Sequence, residues 1–236
     1  MIPSHYRRSC RLVVWLLVLV LCTWSAEFSA VRCWSAVPTA LALPGANGHT
    51  LQADFLCQKQ LPELDTILVS RGTVFLEAPD HLRLATTWPY TSDIILVGNK
   101  VLAKSQHESG WAQNPFPPRP GLSMMMTHLA AAALGDLPGK TLAEMYGVSA
   151  LADPIPAPAE HAEWDGGDAE MFVLRPINKD LQKSIQELRL AFDAHSHVLI
   201  FAQITARQGD VVRYWFTNIR LNPALSADTF APTAHP

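Results

Sequence analysis

The chain has 236 residues, 49% of them hydrophobic, and a formal net charge of −3. Its length and apolar content support one domain with a substantial core. No basic stripe or cluster occurs beyond the N-terminal region, which argues against a nucleic-acid surface, whose affinity rests on neutralising phosphates. Four cysteines, two of them within the first thirty residues, are too few for a disulfide scaffold.

Residues 1–30 read as an export segment. Arg7, Arg8 and Arg11 precede an apolar run from Leu12 to Leu21, the build of a secretory signal. The run falls short of the ~20 residues of a comfortable membrane-spanning helix; an uncleaved N-terminal anchor is the alternative. Small residues at Thr23 and Ser25, and again at Ala40 and Ala42, offer two places for cleavage. Leu21 occupies the position where lipidation of Cys22 would need a small residue, so that modification is not expected. Residues 31–236 form the folded part, with a net charge of −5. Cys33 and Cys57 are available for a disulfide in an oxidising compartment; cleavage after Ala42 would leave Cys57 alone as a small buried hydrophobe.

From His49 to Lys104 the sequence predicts strands. Leu51, Ala53, Phe55 and Cys57 alternate with Gln52, Asp54 and Gln58, and Leu82, Leu84, Thr86 and Trp88 alternate with His81, Arg83 and Ala85. A period of two marks strands with one buried face in an antiparallel sheet. Gly98-Asn99 signals a tight hairpin. Residues 114–120 (NPFPPRP) break the pattern, because proline cannot donate to a ladder. Leu122, Met125, Met126, Leu129 and Ala133 then fall at helical spacing, with Gly135 as the stop. A second helix is expected from Thr141, with Glu144 completing a capping box and Leu142, Met145 and Tyr146 as its apolar positions. Residues 153–168 read as a proline-rich acidic loop, followed by four strands in a meander with short links at Asn178–Asp180, Ala194–Ser196 and Gly209-Asp210. The last segment reads as a tail that adds Phe230 to the edge of the core.

Signatures of catalysis are missing: no GxSxG elbow, no glycine-rich phosphate loop, no HExxH and no paired CxxC. His195 and His197 lack further ligands for a metal, and Glu160, Glu163, Asp165 and Asp168 lack the spacing of a calcium loop. A polar turn and a solvated acidic loop are the readings of choice, and neither an enzyme nor a cofactor is expected. The apolar surplus is the distinctive feature. Ile94–Val97, Met171–Leu174 and Val198–Phe201 are apolar on both faces, and a large exposed patch is uncommon in a monomer. Met124–Met126 suit either a fixed core or a movable helix that packs against variable shapes.

TLQADFLCQKQLPEL, LVSRGTVFLEAPDHLRL and TTWPYTSDIILVGNKV, followed by LAAAALGDLPGKTLAEMYGV, FVLRPI and VVRYWFTNIRLNPALSADTF, resemble the LolA family of outer-membrane lipoprotein carriers in order and spacing over most of residues 50–230. The resemblance implies a mainly β fold: a curved, unclosed antiparallel half-barrel with a helical lid. It also implies a periplasmic carrier whose apolar cavity takes acyl chains of lipoproteins or related lipids, received from an inner-membrane donor and passed to an outer-membrane acceptor. A monomer is expected. The lining is predicted to comprise Phe55, Val74, Leu76, Leu82, Leu84, Trp88, Ile94, Leu96, Met171, Val173, Leu188 and Leu190, with Met125, Met126 and Leu129 from the lid. A slip of one residue would exchange the face of any strand. Two positions depart from the family pattern: Ala78 precedes Pro79 where a basic residue is usual, and Cys57 replaces a glutamine. A lipid- or lipoprotein-sensing regulatory module of the same fold is the alternative function.

Overall fold

The structure is a computed structural model that describes residues 48–98, 100–108, 110–113, 122–135, 139–158 and 167–232. All of them belong to the compact unit Pro38–Pro236. The export segment, Cys33, the hairpin residue Asn99, the proline run 114–120 and the acidic residues 160–165 lie outside the described residues.

Eleven antiparallel strands form one sheet in the order β6-β5-β4-β3-β2-β1-β11-β10-β9-β8-β7. The first meander comprises β1 (Thr50–Gln60), β2 (Ile67–Glu77), β3 (His81–Trp88), β4 (Ser92–Val97), β5 (Lys100–Ser105) and the short β6 (Ala112–Gln113). The second comprises β7 (Tyr146–Leu151), β8 (Ala169–Pro176), β9 (Ile185–Asp193), β10 (Leu199–Ala206) and β11 (Val211–Leu221). The meanders join where β1 pairs with β11, whereas β6 and β7 end the order unpaired with each other. The sheet is therefore open. Its curvature shows in the core: Leu82 and Leu96 from one meander share a buried cluster with Leu174 and Leu188 from the other.

Three helices lie among the described residues: α1 (Leu122–Leu134), α2 (Gly139–Met145) and α3 (Lys179–Ser184). No Asp, Glu, Lys or Arg occurs between Leu122 and Leu134, so α1 is largely apolar, the composition of a helix built for burial. It packs on the inner face of the sheet through Met125, Ala130, Ala133 and Leu134. Gly135 stops it at φ 75°, a conformation that costs a glycine little.

Two expected elements differ. The helix expected from Thr141 instead runs Gly139–Met145, with Thr141 inside it and not at its cap, and Tyr146 opens β7, which pairs with β8 from Tyr146↔Pro176 to Leu151↔Met171. Pairing with a neighbouring strand overrides the local helical pattern. The link at Asn178–Asp180 is the start of α3: the Asn178 side chain accepts from the Asp180 and Leu181 backbone amides at 2.9 and 3.2 Å, and Leu181 is fully buried. A cap with one apolar anchor suffices for this short helix.

Apolar residues on both faces are explained by a second core. Leu56, Trp215, Phe201, Ala191 and Met171 are consecutive register partners across β1, β11, β10, β9 and β8 and form a separate buried cluster on the outer face. Ile155 packs against this row, and the Trp215 indole donates to the Pro156 carbonyl at 2.9 Å. The proline segment after β7 thus covers the outer face with backbone that has few donors of its own to satisfy.

The C-terminal tail also seats on the outer face. Arg83 grips the buried Asp93 carboxylate with Nε and Nη2, both at 2.9 Å, while Nη1 donates to the Thr229 carbonyl at 3.0 Å. The Phe230 ring meets His81 edge to face at 5.3 Å, so the tail adds to the packing over β3.

Candidate functional site

Beneath α1, the inner face leaves an apolar crevice of about 70 Å³. Leu51 and Ala53 of β1, Val74 and Leu76 of β2, and Leu82 and Leu84 of β3 form one wall. Leu199, Ala202 and Ile204 of β10 and Tyr214, Phe216 and Ile219 of β11 form the other. Met126, Leu129, Ala130 and Ala133 of α1 close it from above. These four recur at the three- and four-residue spacing of a single helix stripe. Period two in the strands and period 3.6 in the helix thus converge on one space.

The floor is aromatic. Phe55 meets Tyr214 edge to face at 5.9 Å, and Tyr214 stacks parallel to Phe216 at 6.1 Å. Tyr214 and Cys57 are register partners. Burial holds the Tyr214 hydroxyl proton on and pushes the Cys57 thiol up from its ordinary range, so both groups stay neutral. Cys57 carries a free thiol, and a protonated buried thiol behaves as a small hydrophobe.

One polar contact ties α1 to the sheet beside the crevice. His128 Nδ1 lies 3.1 Å from the Tyr146 hydroxyl, with the two rings edge to face at 5.7 Å. Tyr146 is 2% exposed, and burial raises its pKa. Burial lowers that of His128, which favours the neutral imidazole; with Nδ1 unprotonated, it accepts from the hydroxyl. This contact joins the lid helix to edge strand β7.

The expected lining divides clearly. Val74, Leu76, Leu82, Leu84, Met126 and Leu129 meet at the crevice. Phe55, Leu96, Met125, Leu188 and Leu190 lie in the same inner core but away from the opening. Ile94 pairs with Leu84, which places it on the inner face, half-buried. Met171 and Val173 are displaced by one register. Phe172 and Leu174 face the inner core, and Met171 packs in the outer cluster. Trp88 is 49% exposed, with the Arg71 guanidinium 5.5 Å from its ring centre. The cause is a bulge: Arg71 pairs with Trp88 but Gly72 pairs with Thr86, so Thr87 is an extra residue that reverses the alternation.

Leu51, Ala53, Ala130 and Ala133, together with the β10 and β11 residues, complete the crevice beyond the expected lining. Leu51 and Ala53 share the alternation of Phe55, and Ala130 and Ala133 extend the stripe of Met126, so those four were accessible to pattern reading. In β10 and β11 the outer face also carries large apolar residues, Phe201 and Trp215, so period two gives no clear face assignment there.

A crevice of about 70 Å³ holds a few water molecules at about 10–15 Å³ each, well below the ~300–1,000 Å³ of ordinary ligand sites. A long acyl chain therefore enters only if α1 lifts. Chemically the site offers burial and little else, since the tyrosine hydroxyl is its sole side-chain polar group.

No family model matches the chain, and no curated relative matches it. Solved structures similar to it include a DUF1329 family protein from Desulfovibrio piger, at 10% identity and a TM-score of 0.44, covering 81% of this chain and 95% of that one. A LolA superfamily protein from Nitrosomonas europaea is similar at 11% identity and a TM-score of 0.39, covering 82% and 94%. MucB is similar at 13% identity and a TM-score of 0.44, covering 82% of this chain and 61% of that chain.

Proposed function

We propose that this protein binds acyl chains of lipoproteins or related lipids beneath α1 and carries them through the cell envelope towards the outer membrane. The observation that supports this reading is the joint lining of one apolar crevice by five strands and the apolar stripe of α1. Each buried CH₂ contributes roughly 0.8 kcal/mol, so one long chain supplies ample gross driving force, and the cost of lifting α1 sets the net affinity. The basic n-region and apolar run at the N-terminus are consistent with export, and export is part of this reading. Binding, with no chemical step, is the activity.

Native mass spectrometry of the protein purified from the periplasm tests the proposal. Co-purified lipid or lipidated peptide is the expected result; a ligand-free protein that also takes up no added lipid would refute it. Cross-linking in cells separates carrier from sensor. A carrier is trapped with an inner-membrane donor and an outer-membrane acceptor, and a sensing module with one regulator.

A further inference from the structure

Directly beside the outer apolar row runs a polar one. Gln58, Arg213, Gln203 and Arg189 are consecutive register partners on β1, β11, β10 and β9, each two residues along from a member of the apolar row. Side chains two apart on a strand share a face, so all four stand on the outer side. The two arginine Cα atoms are separated by two strand spacings, about 10 Å, with Gln203 between them.

Local compensation is incomplete. Glu187 is shared by two arginines: its Oε1 accepts from Arg189 Nε at 2.7 Å and its Oε2 from Arg175 Nη2 at 2.9 Å. Arg213 has no carboxylate partner among the described residues, and its Nε donates to the neutral Gln203 Oε1 at 2.9 Å. Among the described residues, three guanidinium groups thus face one carboxylate. Burial and the nearby Arg189 charge both lower the Arg213 pKa, the direction expected where an anion is missing. Independently, Gln58 is only 4% exposed and its Nε2 lacks an acceptor, which is costly for a buried amide.

We propose that Arg213 and Arg189, flanked by the Gln58 amide, form an oxyanion site on the outer sheet face that takes a phosphate group, free or as a lipid headgroup. Arginine suits this role because its planar fork donates two parallel hydrogen bonds to phosphate oxygens. Gln203 orients Arg213 by holding its Nε and leaving both Nη groups to bind. The site lies on the opposite face of the sheet from the acyl crevice, so it is a second site and does not bind the headgroup of a lipid held within.

Titration with inorganic phosphate at constant ionic strength, followed through the arginine Nε–H resonances, tests the site. Saturable shifts at Arg213 and Arg189 are expected, with affinity about tenfold lower in R213Q or R189Q. Q58L is expected to weaken phosphate binding while raising the urea midpoint, because it removes the orphan amide. If R213Q fails to fold, R189Q and R213K supply the comparison. In parallel, sedimentation with vesicles of phosphatidylglycerol or of phosphatidylcholine identifies the source. Phosphatidylglycerol binding lost in R189Q, without saturable phosphate shifts, supports a lipid headgroup as the ligand; saturable phosphate shifts without vesicle binding support free phosphate. Absence of both, or binding unchanged in R213Q and R189Q, overturns the site.

Discussion

Gly72 lies where β2 and β3 come too close for a side chain. A Cβ there would sit 2.0 Å from the Ala85 carbonyl oxygen and 2.8 Å from Thr86 Cα. The neighbour is backbone and cannot swing aside, so Gly72→Ala is expected to destabilise the fold by about 1–3 kcal/mol, measured by urea unfolding. The Arg83–Asp93 pair is the second sensitive point. Both side chains are largely buried, at 15% and 8% exposure, and Arg83→Leu would remove the bidentate partner of a carboxylate with little access to water. A loss of about 3 kcal/mol is expected, together with release of the tail at Thr229, detectable as faster amide exchange there. A result within 0.5 kcal/mol (about the scatter of ordinary surface substitutions) would show that the pair is dispensable. At this scale the sequence was readable wherever alternation ran uninterrupted, as from Leu82 to Thr86. It misled at Trp88, because a single extra residue at Thr87 is invisible to a period-two pattern.

At the scale of elements, the stripe of α1 at Met126, Leu129, Ala130 and Ala133 faces the crevice. Ala130→Leu fills that space with an isobutyl group. Fatty-acid uptake is expected to fall several-fold while the thermal midpoint stays level or rises, because the added carbon occupies a pre-existing void. Unchanged uptake would place the ligand elsewhere. Burial of His128 makes the same helix sensitive to acid. The His128 pKa in the folded state is below its ordinary 6.5, so between the two values the unfolded chain binds more protons and stability rises with pH. Its contribution is therefore complete above 6.5 and declines as the pH falls through the folded pKa. Urea midpoints of wild type and His128→Gln should converge under mild acid and separate near neutrality; parallel curves would remove His128 as the source.

On the scale of the whole sheet, the inner and outer faces divide the apolar residues into two cores, and this limits what one sequence can reveal. In β1 to β3 the outer face is largely polar, so the wall of the crevice could be read directly from Leu51, Val74 and Leu84. In β8, β10 and β11 the outer face carries Met171, Phe201 and Trp215, which are as apolar as the inner residues. Nothing local then distinguishes Met171 from Phe172. The proline segment that covers Trp215 lies about sixty positions away in the chain, which is why the outer core emerged only from the fold.

The inner face as an acyl-chain site is tested most directly by titrating wild type and Leu84→Glu with a fluorescent fatty acid, with circular dichroism to verify that both are folded. Leu84 lines the crevice and is only half-buried, so the carboxylate can reach water without unfolding the sheet. Saturable uptake by wild type and strongly weakened uptake by the folded variant is the predicted result. Equal uptake by the two proteins would contradict the proposal.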